Sequence, residues 1–232
     1  MYAKSTCKPW RGRSRKTSHK PCQVTNPVQI VSVDQLASST TGLVTQMNGI
    51  LNTKRYKYST VFVDHFYRYS YMHLQKIASS EDNLEGKHAF ERMASSHGII
   101  INQYHTDNGI LRANCWVQDC QERANPQITT YDGVDDHHTN GLGERRIRDI
   151  QDKFRYMMIH SQHKCPEAIT YNLWPYDLRH SNNAYYSIPL LLHPQVLSPL
   201  HFFTGNQVQD NPTHWNSFGC PNYILNEALC YS

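Results

Sequence analysis

The sequence predicts an α/β fold, a mixed five-stranded sheet flanked by helices, and three observations carry that prediction. Three apolar, β-branched segments come first, at 28–36, 58–66 and 67–75. Two more, at 99–106 and 127–134, alternate with stretches of helical spacing. A long amphipathic segment then follows from residue 141.

"VQIVSVDQL" (Val28 to Leu36) is short, β-branched and preceded by Pro27, so it reads as a mostly buried strand with Asp34 near its end. "YSTVFVDHF" and "YRYSYMHLQ" read as two strands joined closely around Asp64 to Arg68, a hairpin. Asp64 is taken as structural, because Arg68 four residues on offers it a local ion pair. "SSEDNLEGKHAFERMASSHG" reads as a helix, with Ser79 or Ser80 as cap, acids in the first turn and Gly98 as the stop. "IIINQYHTDNG" is an apolar strand that places Asp107 at its end, before the Asn108-Gly109 turn. A short helix around Ala113 to Arg123 and a weak strand in "QITTYDGV" come next.

A polar loop holding Asp132, Asp135, Asp136, His137 and His138 leads into the long helix, whose Ile147, Ile150, Phe154, Met157 and Met158 recur at core-facing spacing. Glu144 lies in its first turn, where the helix dipole favours an acid, and Arg148, Gln151 and Arg155 follow on one ridge. A second long helix is expected from about Glu167 to Tyr186. The stretch from Ile188, with its scattered prolines, reads as irregular apart from one strand at "NYILN". Three strands, helix, strand, helix, strand, helices is the order of the ribonuclease H-like fold.

The formal charge of +4 is unevenly placed, because Lys4, Lys8, Arg11, Arg13, Arg15, Lys16 and Lys20 all precede the first acid, Asp34. Residues 1–26 therefore read as a basic linker that cannot bury enough apolar surface to fold alone. An acid-free, Arg- and Ser-rich start also fits a transit peptide, but Pro9, Gly12 and Pro21 interrupt any amphipathic helix there. Residues 27–187 form the expected core, and 188–232 an irregular extension. Seven cysteines without a Cys-x-x-Cys pair point to reduced thiols in an intracellular setting and argue against zinc. No apolar run approaches bilayer length, so no membrane association is expected.

Asp34 and Asp107 at strand ends and Glu144 at a helix start are placed to converge at one sheet edge. Three carboxylates close together repel one another without cations, and hard oxygen ligands suit Mg²⁺ or Mn²⁺. Two such ions supply what phosphodiester chemistry needs: an activated nucleophile, in-line geometry and neutralised charge. Each acid alone also has an ordinary explanation, as a strand-end or turn residue.

"SVDQL", "FVDHFYR", "HTDNG" and "NGLGERRIR" together resemble the integrase core of copia-type long-terminal-repeat retrotransposons. "NLWPYDLRHSNN", "SPLHFFTG" and "FGCPNYIL" match, in order, the segments that follow that core, so the likeness covers nearly the whole chain. The resemblance implies a DDE-type polynucleotidyl transferase that processes DNA 3′ ends and joins them to target DNA. Its catalytic and metal-binding triad would be Asp34, Asp107 and Glu144, holding two Mg²⁺ or Mn²⁺ ions. Arg145, Arg148 and Gln151 on the helix, with Arg11, Arg13, Arg15 and Lys16 in the linker, would contact element ends and target DNA. It also implies a homo-oligomer, no small-molecule substrate, and a nuclear or cytoplasmic particle-associated location.

Two departures weigh against a full match. Thirty-six residues lie between Asp107 and Glu144, one more than is usual in the family, which the loop at 133–139 can absorb. The family's zinc module is not seen before the linker, as expected of a fragment of a longer polyprotein. A non-catalytic nucleic-acid-binding remnant is therefore the alternative, and a ribonuclease H-type nuclease a more distant third.

Overall fold

The computed structural model describes residues 30–44, 53–106, 110–131, 141–189, 197–206 and 216–220. The linker, the polar loop before the long helix and "NYILN" lie outside the described residues, and so does Asp107.

Five strands form one mixed sheet: β1 (Val31–Leu43), β2 (Arg55–Asp64), β3 (Ser70–Gln75), β4 (Gln103–Thr106) and β5 (Ile128–Tyr131). They lie in the order β3-β2-β1-β4-β5. β1 pairs antiparallel with β2, β2 with β3, while β1–β4 and β4–β5 are parallel. The expected five-stranded mixed sheet is thus present. The helices are α1 (Ser80–Ser96), α2 (Asn114–Gln121), α3 (Gly141–Lys164), α4 (Trp174–Ser187) and α5 (Pro199–Thr204).

Alternation along β1 sorts the two layers. Val31 and Val33 turn to one face and pack with Phe90 and Ala94 of α1, Trp116 and Cys120 of α2 and Phe203 of α5. Leu36 turns to the other face, with Val61, Val63, Met72 and Leu74, under Ile150 of α3 and Trp174 and Leu178 of α4. On the first face Phe62 stacks on Phe90 with centroids 5.0 Å apart. On the second, Ile147 and Phe154 border the core and Met158 is buried, as expected of α3, while Met157 is half-buried and accepts from the Ser181 hydroxyl at 3.4 Å.

Local signals explain most boundaries. Ser79 caps α1 by accepting from the Asp82 amide at 3.0 Å, and Gly98 follows the helix in the left-handed region at φ 72°. A cluster of charges ties α1 to α2. Fully buried Lys87 pairs with Asp119, and with Glu91 at 3.2 Å; Arg123 reaches Glu91 at 2.6 Å and Asp119 at 3.2 Å. His88 completes the cluster with a 2.8 Å contact to Asp119.

Three expectations need correction and a fourth is extended. β1 does not end near Leu36 but runs to Leu43, so Asp34 is its fourth residue. A register shift between Ala37 and Gly42 lets the polar half continue beside β2. The second long helix begins at Trp174 rather than Glu167, because Pro175 suits a first helical turn. The stretch before it holds a single 3₁₀ turn at Tyr171–Leu173. The extension read as irregular contains α5, capped by Ser198, whose hydroxyl accepts from the His201 amide at 3.2 Å. Asp64 is structural as expected, with the Arg68 charge interacting with it, and it also ties the turn through the backbone: its carboxylate accepts from the Tyr67 amide at 2.5 Å, and the Arg68 amide donates to its carbonyl at 3.1 Å.

Candidate functional site

Asp34 sits in the central strand, on the face that also carries Leu36 and Ser32, which is the α3 side of the sheet. Its cross-strand partner Val61 belongs to the same layer. One carboxylate oxygen accepts from the Gln35 amide at 2.7 Å, which fixes the side chain beside the strand. The parallel ladder to β4 runs from Val31–Tyr104 to Val33–Thr106 and stops there. The last described residue of β4 therefore lies one position before Asp34 in register, and Asp107 is the next residue in the sequence.

Glu144 lies in the first turn of α3 and is exposed. The helix that carries it, α3, packs on the Asp34 side of the sheet. Among the described residues no group of three His, Cys, Asp or Glu side chains forms a metal cluster. The donors Asp34 and Glu144 offer are hard oxygens, the ligand type of Mg²⁺ or Mn²⁺, and in donor chemistry they fit such an ion.

Polar side chains share this part of the sheet with Asp34. Ser32, two residues before it on the same face, makes a 2.6 Å hydrogen bond with His65 Nε2. Burial, reinforced by the Arg68 and His105 charges, lowers the His65 pKa to about 4, so this imidazole is neutral at physiological pH. On β4, His105 is the register partner of Ser32 and bonds the Thr130 hydroxyl at 2.9 Å. These two bonds hold the side chains of Ser32, His65, His105 and Thr130 in place.

Arg145 and Arg148 are exposed on α3, and Gln151 is half-buried. Arg148 stands one turn after Glu144, in reach of a ligand that approaches the helix start. Arg11, Arg13, Arg15 and Lys16 lie outside the described residues.

Sequence reasoning missed Arg146. It is buried, at 5% exposure, and one of its Nη atoms donates to the backbone carbonyl of Arg68 in the β2–β3 turn. Its guanidinium carbon lies 3.6 Å from the centroid of the Tyr185 ring of α4, and Lys153 Nζ lies 4.3 Å from the same ring. In a run reading Glu-Arg-Arg-Ile-Arg, only the helical phase of Ile147 and Ile150 hinted that the middle arginine faces inward.

The fold is similar to that of known proteins. A chain of the simian T-cell lymphotropic virus intasome in complex with PP2A regulatory subunit B56 gamma matches with a TM-score of 0.54 and 14% identity, over 79% of this chain and 57% of that one. The catalytic core domain of BIV integrase matches with a TM-score of 0.51 and 12% identity, over 76% of this chain and 93% of that domain. The chain thus spans little more than half the length of the matched intasome chain. No protein-family model matches the sequence, and no curated protein matches it. The fold is ribonuclease H-like, the class of integrase catalytic cores.

Proposed function

We propose that this chain is the catalytic core of a retrotransposon integrase of the copia type, a polynucleotidyl transferase acting on DNA ends and target DNA. The observation that carries the reading is the placement of Asp34 and α3 on one side of the sheet, next to the point where the β1–β4 ladder ends. Asp34, Asp107 and Glu144 would hold Mg²⁺ or Mn²⁺, which would supply activation of the attacking oxygen and neutralisation of charge at the phosphate. Only Asp34 and Glu144 are described structurally, and Asp107 joins them on sequence grounds.

The remaining residues supply binding and orientation. Arg145, Arg148 and Gln151 present cationic and polar groups beyond Glu144, where they can contact phosphates without reading bases. The basic linker adds Arg11, Arg13, Arg15 and Lys16 as sequence-independent contacts. Ser32, on the same face of β1 as Asp34, is held by its hydrogen bond to neutral His65. The reading further implies a homo-oligomer acting inside the cell, in the nucleus or a cytoplasmic particle.

The test is strand transfer of a labelled duplex end into plasmid DNA, with Mg²⁺ or Mn²⁺ and the full chain. Asp34→Asn and Glu144→Gln each remove a metal-ligand charge and should abolish joining while leaving DNA affinity within about twofold, because affinity rests on the cationic residues. DNA binding without joining in either metal would instead identify a non-catalytic nucleic-acid-binding remnant. Cleavage of an RNA–DNA hybrid would identify a ribonuclease H-type nuclease.

A further inference from the structure

Glu144 projects from the first turn of a helix that the β2–β3 turn and α4 must hold in place, and one residue touches both. Arg146 follows Glu144 by two positions, about 200° round the helix, so an outward Glu144 turns Arg146 inward. The exposures agree, Glu144 being exposed and Arg146 buried.

We propose that Arg146 is a positioning residue, a guanidinium clamp that fixes the start of α3, and with it Glu144, against the β2–β3 turn and α4. The role assigned to Glu144 rests on the function proposed above; the clamp itself does not.

Two contacts and one backbone conformation build it. First, the guanidinium donates to the carbonyl of Arg68, 78 residues earlier in the chain. Second, it stacks on Tyr185, and a planar cation on a ring face is an attraction that strengthens as water is excluded. Third, the acceptor is presented by an unusual backbone. Arg68 has φ 62°, the only positive φ at a non-glycine among the described residues, a conformation that side chains rarely adopt. The turn is held in it by the Asp64 amide donating to the Tyr69 carbonyl at 2.9 Å and the Arg68 amide donating to the Asp64 carbonyl at 3.1 Å. The clamp uses the Arg68 carbonyl and not its side chain, so Gly at position 68 preserves it.

The turn is gripped from its other side as well. Tyr67 stacks at 6.0 Å on Phe202, and Tyr69 stacks at 4.3 Å on Phe203. Tyr186, next to Tyr185 in α4, lies 5.0 Å from Tyr69. The anchor that Arg146 holds is therefore rigid. Burial, with the Arg68 charge adding to it, lowers the guanidinium pKa to about 10, Tyr185 and Asp149 opposing the shift, so Arg146 remains a cation at neutral pH. Lysine cannot replace it, because an ammonium has no plane to stack and no fork to reach the carbonyl at the same time.

Hydrogen exchange by mass spectrometry on the full chain, without metal or DNA, tests the clamp directly. Arg146→Ala should speed exchange about tenfold in peptides covering 141–150, the loss expected for a buried cation–π contact plus a charge-assisted hydrogen bond, with α1 unchanged. Arg146→Lys should behave like Arg146→Ala, and Tyr185→Leu should match both. Tyr185→Phe, which keeps the ring, should stay protected. Strand transfer by Arg146→Ala should fall in kcat with little change in KM for DNA, because a displaced carboxylate misplaces the reacting groups rather than the bound duplex. Unchanged exchange across 141–150 in Arg146→Ala overturns the clamp. If that variant does not fold, unchanged exchange in Tyr185→Leu does the same. Faster exchange with wild-type kcat overturns the positioning of Glu144. An inactive wild type would sink the proposed function and the Glu144 role with it, while the exchange data still decide the clamp.

Discussion

Acid titration measures how much the charge cluster between α1 and α2 contributes. Asp119 is only 21% exposed, and burial pushes its carboxyl up; hydrogen bonds from Lys87 and His88 and the Lys87 and Arg123 charges outweigh that and hold it at about 2. Because the folded-state value lies below the ordinary 3.8, the carboxylate stabilises the fold above about pH 4, and that stabilisation is lost as pH falls through about 2. At 1.36 kcal/mol per unit, the difference amounts to about 2 kcal/mol at pH 7. Asp119→Asn keeps the shape and removes the titration, so urea unfolding of both proteins isolates this group from every other acid. Their stability gap should be about 2 kcal/mol at pH 7, hold to about pH 4 and close near pH 2. A gap that persists at pH 2, or is missing at pH 7, would refute the reasoning. Lys87→Met strands the carboxylates and should cost more at pH 7, about 3–5 kcal/mol, with partial recovery in acid as Asp119 protonates.

Two further outcomes concern packing and binding. A Cβ at Gly42 would overlap Pro175 and lie 2.6 Å from Trp174 Nε1, so Gly42→Ala should lower stability by about 1–3 kcal/mol, seen as a lower melting temperature. An unchanged melting temperature would mean that α4 withdraws at no cost. Deleting residues 1–20 should weaken DNA affinity and flatten the slope of log affinity against log salt, because seven Lys and Arg residues leave with the segment. Identical slopes would show that the linker contacts no phosphates.

Much of this architecture is legible in the chain because it rests on local signals. The Ser79 cap, the Gly98 stop, the period-two alternation through Val31, Val33 and Leu36, and the helical spacing of Ile147, Ile150 and Phe154 each follow from short-range physics. The boundary of β1 was not legible, because "ASSTTGL" carries no apolar alternation and is held as strand by pairing with β2 beyond a register shift. Nor was the Lys87 cluster: Lys87–Glu91 and Asp119–Arg123 are visible as separate pairs four residues apart, but their union depends on how α1 meets α2. Around the proposed site, the strand that carries Asp34 and the helix that carries Glu144 were legible, and the contacts that support the helix were not. Arg146 differs from Arg145 and Arg148 only in phase, and its acceptor is a backbone carbonyl that no sequence pattern encodes.

The pairing of β1 with β4 sets the order in which the chain can acquire its chemistry. Val31 meets Tyr104 across a long sequence separation, whereas β2 reaches β3 through a short turn. Closing a loop of that length costs entropy before any contact is returned, so the local hairpin forms readily and the parallel ladder late. As the chain leaves the ribosome, Asp34 therefore spends its early life on an edge strand, and both of its neighbours are in place only after β4 has been synthesised and docked. A nascent or truncated chain that stops before α3 would hold the hairpin and yet leave Leu36, Val61 and Met72 without the cover that Ile150 supplies.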